Sequence, residues 1–99
     1  MYSKVQQLLG LTSRARKNVS GETLFHKLRQ QEVSLVIVAE DASQNSIKKI
    51  SDKCTYYNVE YIVYGTISEI SNAIGKENRV AVGILDKGFS KKIKEEIGG

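Results

Sequence analysis

The chain has no proline, a single cysteine and a single histidine among its 99 residues. One cysteine excludes both a disulfide framework and a cysteine-rich zinc site, and it fits a chain kept in the reducing cytoplasm. One histidine has no partner at metal-ligand spacing. No apolar run approaches the roughly 18 residues that span a bilayer, so no membrane partner is expected. The opening MYSKVQQLLG lacks the long apolar stretch of a secretory signal. Walker A and G-x-G-x-x-G phosphate loops are missing, as are internal repeats and low-complexity tracts. Neither a cofactor nor a metal is expected.

What is present is a mildly basic globular composition. Hydrophobic residues make up 40% and charged residues 26%, which suits one domain over residues 1–99. Fifteen Lys and Arg against eleven Asp and Glu give a net charge of +4, which makes a polyanionic partner plausible without identifying it. The excess is uneven. Residues 1–21 hold Lys4, Arg14, Arg16 and Lys17 and no acid, whereas residues 54–75 hold Glu60 and Glu69 and no base. Three cations in the four residues Arg14-Ala15-Arg16-Lys17, together with Lys76 and Arg79, are candidates for phosphate contact.

Glycine supplies the punctuation. Val5, Leu8, Leu9 and Thr12 fall at helical spacing and predict a helix from about Ser3 to Arg14. A short strand around Val19 precedes Gly21. Leu24, Phe25 and Leu28 mark the inner stripe of a second helix over Glu22–Gln31. Leu35 to Ala39 is a continuous apolar run, as in a strand buried on both faces. After it, Asp41 or Ser43 can cap a third helix that reaches Tyr57 and buries Ile47, Ile50 and Cys54. Tyr61 to Tyr64 reads as a strand, Thr66 caps a short helix carrying Ile67, Ile70, Ala73 and Ile74, and Val80 to Leu85 is the last strand. Phe89, Ile93 and Ile97 line a closing helix. Five helices alternating with four strands predict an α/β fold, a three-layer α/β/α sandwich around a mixed four-stranded sheet.

No catalytic constellation emerges, and the chain is expected not to be an enzyme. His26 reads as a helix-surface or boundary residue, and Cys54 as a small buried hydrophobe. The tyrosines at 56, 57, 61 and 64 read as core and sheet-face packing rather than as a base-stacking strip. Glu40 and Asp41 form a carboxylate pair at a strand's carboxyl end. That is where α/β folds place ligands, and it is also a helix N-terminus, where the dipole favours acids.

Three stretches in order carry a resemblance: LGLTSRARKNVSGE from Leu9 to Glu22, LVIVAEDAS from Leu35 to Ser43, and ISNAIGKENRVAV from Ile70 to Val82. Together they resemble the L-seven-Ae/L-thirty-e superfamily of ribosomal and kink-turn RNA-binding proteins, over about residues 4 to 95. The resemblance implies an α/β/α sandwich that binds structured RNA, ribosomal RNA or a kink-turn included, through the start of the second helix and two nearby loops. It implies a cytoplasmic monomer associated with translation, with ribosomal proteins as further partners, and an accessory protein-interaction module as the rival reading.

The family's G-x-N-E-x-x-K pattern, laid on Gly21 and Lys27, places Thr23 and Leu24 at its Asn and Glu. Thr23 keeps a hydroxyl, while the Leu24 side chain makes no hydrogen bond. Glu22 takes the polar role if the helix starts in a shifted register. In this reading Arg14, Arg16 and Lys17 grip phosphates, Gly21 lets the backbone approach the RNA, and Lys27 reaches the RNA backbone. The second RNA-facing loop supplies Ile74 and Gly75 against an unstacked base, Lys76 and Arg79 for phosphates and Asn78 for a base edge. Glu40 and Asp41 border it.

Overall fold

A computed structural model of the chain describes residues 1–98. Helix α1 spans Ser3–Arg14, β1 Asn18–Val19, α2 Glu22–Arg29, β2 Leu35–Val38, α3 Gln44–Tyr56, β3 Glu60–Val63, α4 Ile67–Ile74, β4 Ala81–Ile84 and α5 Lys87–Gly98. The strands form one sheet in the order β1-β4-β2-β3. β4 runs antiparallel to both β1 and β2, and β2 is parallel to β3. The sheet is therefore mixed, as expected. Its one parallel pair is joined through α3, because parallel strands need a long crossover.

Period-two alternation sorts the apolar strand residues onto two faces. Leu35 and Ile37 of β2 and Val82 and Ile84 of β4 pack with Val5 and Leu9 of α1, Ile70 of α4 and Ile93 of α5. Val36, Val38 and Ala81 point the other way, onto Leu24 and Leu28 of α2 and Ile50 and Cys54 of α3. Helices thus cover both faces of the sheet in three layers. Gly83 lets α2 lie close: a Cβ there would stand 2.5 Å from Leu24 Cδ1 and 3.2 Å from Val33 Cγ1.

The caps follow local sequence logic. Ser43 accepts the Ser46 amide at the start of α3. Thr66 and Glu69 form a reciprocal capping box at α4. The Met1 ammonium donates to Glu69 at 2.6 Å, so the carboxylate that caps α4 also holds the chain's first residue. Gly75 ends α4 in the left-handed conformation.

Four elements differ from expectation in their bounds. α2 stops at Arg29 rather than Gln31, because Gln31 takes a left-handed φ of 58° that no helix continues. β2 ends at Val38, one residue short, and β4 is trimmed to Ala81–Ile84. β3 begins at Glu60, one residue early. β3 is also an outer strand with a neighbour on one side only, so Tyr61 and Val63 are 38% and 44% exposed. That corrects the core assignment of the tyrosines. Tyr56 is 81% exposed, and only Tyr57 and Tyr64 are half-buried.

Candidate nucleic-acid interface

The β1–α2 turn and the α4–β4 loop meet at one end of the sheet. Gly21 is the N-cap of α2, with φ 63° and ψ −145°, a region that side chains essentially exclude. The antiparallel register of β1 on β4 brings it against the residues that precede β4. A Cβ at Gly21 would lie 2.9 Å from Arg79 Nη1, so glycine is also required for the guanidinium to rest there. Arg79 Nε is buried without a hydrogen-bond partner, and the Arg79 amide is fixed by Ser71 Oγ at 2.8 Å. No side chain caps α2, so its first turn presents backbone N–H groups beside an unpaired guanidinium.

Leu24 is 2% exposed and sits in the α2–α3 core. It is therefore not a base-contacting position, and the register that put it there is corrected. The exposed pair opening α2 is Glu22 and Thr23, one residue earlier. Leu24, Phe25, Ile50 and Val80 instead wall a cleft of about 80 Å³ that opens at Gly21, Asn78 and Arg79.

The α4–β4 loop holds Lys76, Glu77 and Asn78 exposed, with Asn78 at φ 54°. They line a concavity of about 410 Å³ with Asp41, Ser68 and Asn72. Asp41 Oδ1 accepts the Ile67 amide at 2.8 Å, and Glu40 Oε2 accepts the Gly65 amide at 2.9 Å. Both carboxylates thus hold the β3–α4 turn while bordering this end. Ile74 is placed differently from expectation. It is 5% exposed and packed in the α1/α4/α5 core, so it offers no surface to a base.

The basic turn after α1 lies beside the β1 edge. Asn18 Nδ2 staples it by donating to Thr12 Oγ1 and Ser13 Oγ. Ser13 Oγ in turn donates to the Ile74 carbonyl, which links the ends of α1 and α4. Arg14, Arg16 and Lys17 are exposed, Arg16 at φ 57°. The Lys17 carbonyl accepts the Leu85 amide, so this residue is anchored toward the far end of β4. Lys27, in the last turn of α2, bonds Glu32 at 3.0 Å, away from Gly21.

The structure brings Gly21, Asn78 and Arg79 together in one cleft and Asp41, Lys76 and Asn78 in a concavity that shares Asn78. It ties the end of α1, with Arg14 next to Ser13, to the end of α4 before Gly75, and leaves Lys17 and Lys27 outside. Ser71 and Asn18, which position Arg79 and the basic turn, escaped sequence reasoning because the Arg79 amide bond to Ser71 and the Asn18 bonds to the Thr12 and Ser13 hydroxyls depend on how each turn folds back on its helix.

Burial pushes the Cys54 thiol up to about 11, which disfavours the reactive thiolate. His26 is exposed and shares a 3.1 Å contact with Arg29. Among the described residues no three His, Cys, Asp or Glu side chains are grouped to hold a metal ion, and no helix is long and apolar enough to cross a membrane.

The three-layer α/β/α fold, with a glycine turn, an uncapped helix start and Lys76 and Arg79 at one end, is that of a small α/β protein of ribosomal-protein type. The chain belongs to the ribosomal protein L7Ae/L30e/S12e/Gadd45 family, whose model matches residues 3–94. It is 48% identical over 87 residues to the RNA-binding protein YlxQ of Bacillus subtilis, covering 87% of each chain. It is 43% identical over 97 residues to the RNA-binding protein YlxQ of Enterococcus faecium, covering 97% of this chain and 93% of the relative. A Bacillus halodurans structure of unknown function superposes with a TM-score of 0.92 at 37% identity, over 99% of this chain and 100% of that one. The Giardia lamblia 15.5kD RNA binding protein shares the fold, with a TM-score of 0.76 at 17% identity, over 97% of this chain and 83% of that one.

Proposed function

We propose that the chain is a non-catalytic RNA-binding protein of the translation apparatus, acting as a cytoplasmic monomer on structured RNA, with ribosomal RNA or a kink-turn as the target class and ribosomal proteins as neighbours. One observation carries the reading: the partnerless Arg79 guanidinium resting on Gly21 at the uncapped start of α2. The names of the two YlxQ relatives support it. The α2 amides and Arg79 take phosphates, with Lys76, Arg14 and Arg16 adding charge at the flanks. Glu22 and Thr23 face the base edges, Glu22 accepting from base amino groups and Thr23 donating or accepting. In this register the family's lysine position falls on His26, which agrees with Lys27 turning to Glu32. The apolar cleft beside Phe25 and Val80 takes the unstacked base in place of Ile74.

The rival reading, a protein-interaction module, would use an apolar contact at the start of α2, and Leu24 there is interior. Filter binding to total ribosomal RNA at two salt concentrations tests the proposal. Binding that weakens steeply with salt is expected, and no binding at the lower salt contradicts it.

A further inference from the structure

Arg29, Lys49, Lys53 and Tyr57 of the furrow between α2 and α3 play no part in that reading, yet its lining is not that of an ordinary solvated surface. It encloses about 270 Å³ between Glu22, Phe25 and Arg29 of α2 and Lys49, Lys53 and Tyr57 of α3 and its C-cap. These spacings of three and four residues align each set along one helix face. Among the described residues Arg29, Lys49 and Lys53 form no ion pair, although Lys27 and Lys48 on the same two helices do. Lys49 Nζ stands 5.1 Å from the Phe25 ring centroid. Glu22, at the mouth, is the only acid lining the furrow.

Two further features give direction. Phe25 walls both this furrow and the cleft at Gly21 and Arg79, so the two adjoin at that ring. At the other end Tyr56, 81% exposed, meets Tyr57 edge-on at 4.9 Å and 88°. A ring that exposed adds little to the core and offers a face for stacking. Unpaired cations interleaved with aromatic rings are the pattern that holds single strands, with backbone on charge and base on ring. Helices packed about 8–10 Å apart leave a furrow for one backbone, not for a duplex.

We propose that the α2–α3 furrow carries a single-stranded extension of the RNA, its phosphates on Arg29, Lys49 and Lys53 and a base stacked on Tyr56. This rests on the RNA-binding reading above. The structured part of the RNA sits at Gly21 and Arg79, and the strand leaves past Phe25.

The test compares a blunt kink-turn hairpin with the same hairpin bearing a short oligouridine tail at its 5′ or 3′ end. One tail is expected to tighten binding to the unmodified protein on the order of tenfold. Lys49→Ala/Lys53→Ala is expected to abolish that gain and to remove about 1.4 from the salt slope for the tailed RNA, leaving the blunt hairpin unchanged. Tyr56→Ala, a change at an exposed side chain, loses part of the gain. Equal binding of blunt and tailed hairpins overturns the furrow and leaves the RNA-binding reading intact, as does equal weakening of both RNAs by the lysine variant. Failure of the unmodified protein to bind either hairpin overturns the furrow and removes the kink-turn from the target class, and failure to bind total ribosomal RNA as well overturns the RNA-binding reading.

Discussion

Cations at the two ends of the sheet are held in opposite ways. At the end where β3 begins and α2 finishes, Lys94 bonds Glu60 and Lys27 bonds Glu32, each at 3.0 Å. At the end where β4 begins, Lys76 and Arg79 have no carboxylate partner among the described residues, and Arg79 Nε has no hydrogen bond at all. Exposed pairs are worth only about 0–1 kcal/mol, so the paired end gains little stability from them. What pairing changes is availability. A paired lysine offers a phosphate only what remains after losing its carboxylate, whereas an unpaired guanidinium offers its full charge and donor set. The glycines divide in the same sense. Gly21, Gly65 and Gly75, the glycines at positive φ, lie at the unpaired end, whereas the positive-φ residues near the paired end, Gln31 and Asn58, carry side chains. Glycine lets the backbone approach a ligand closely.

The largest expected effect comes from filling the space that separates the two loops of the open end. Gly21→Ala places a Cβ against Arg79 Nη1 and forces a side chain into a glycine-only conformation, at a cost of about 1–3 kcal/mol. A lower Tm and a loss of RNA affinity are both expected, read by thermal melting and filter binding. An unchanged Tm would mean that the Gly21–Arg79 contact is dispensable.

Arg14→Ala/Arg16→Ala should weaken RNA binding without lowering Tm, since both side chains are exposed, and should flatten the salt slope by about 1.4. An unaltered slope would confine the interface to Gly21 and the α4–β4 loop. Smaller still is an acid effect at the start of α4. The Met1 ammonium, then the Thr66 amide, hold the Glu69 carboxyl below its usual range. Its contribution is therefore complete above the ordinary carboxylate pKa and is lost as pH falls through the lowered value. Tm measured from neutral to acid pH should fall less steeply for Glu69→Gln than for the unmodified chain, and parallel curves would show the carboxylate adds nothing.

The contrast between the ends was only partly legible in sequence. Local signals carried well. The apolar run at Leu35, the Ser43 cap and the Thr66 cap act within a turn or a strand, and the structure realises them all. The fold class followed, because alternating strands and amphipathic helices leave few ways to bury both faces of a sheet. The site was harder. Whether Leu24 faces the core or a ligand depends on how α2 lies on β4, which Gly83 decides from another part of the chain. Ile74 lies on an amphipathic helix and in a family loop at once, and only tertiary packing assigns it to the core. The Gly21–Arg79 contact is created by β1–β4 register and has no sequence signature. Tyr56 and Tyr61 were misread because an outer strand and its approach carry the same residue types as an inner one.

The most direct test of the account pits one end against the other in a single assay. Binding to total ribosomal RNA, followed across a range of salt, is compared for Lys76→Ala/Arg79→Ala and for Lys27→Ala/Lys94→Ala. Each variant removes two positive charges, so net charge is matched. The first is expected to weaken binding by tenfold or more and to flatten the salt slope by about 1.4, and the second to leave both nearly unchanged. Equal losses from the two variants, or a larger loss from the second, would contradict the claim that the unpaired end is the RNA-binding surface.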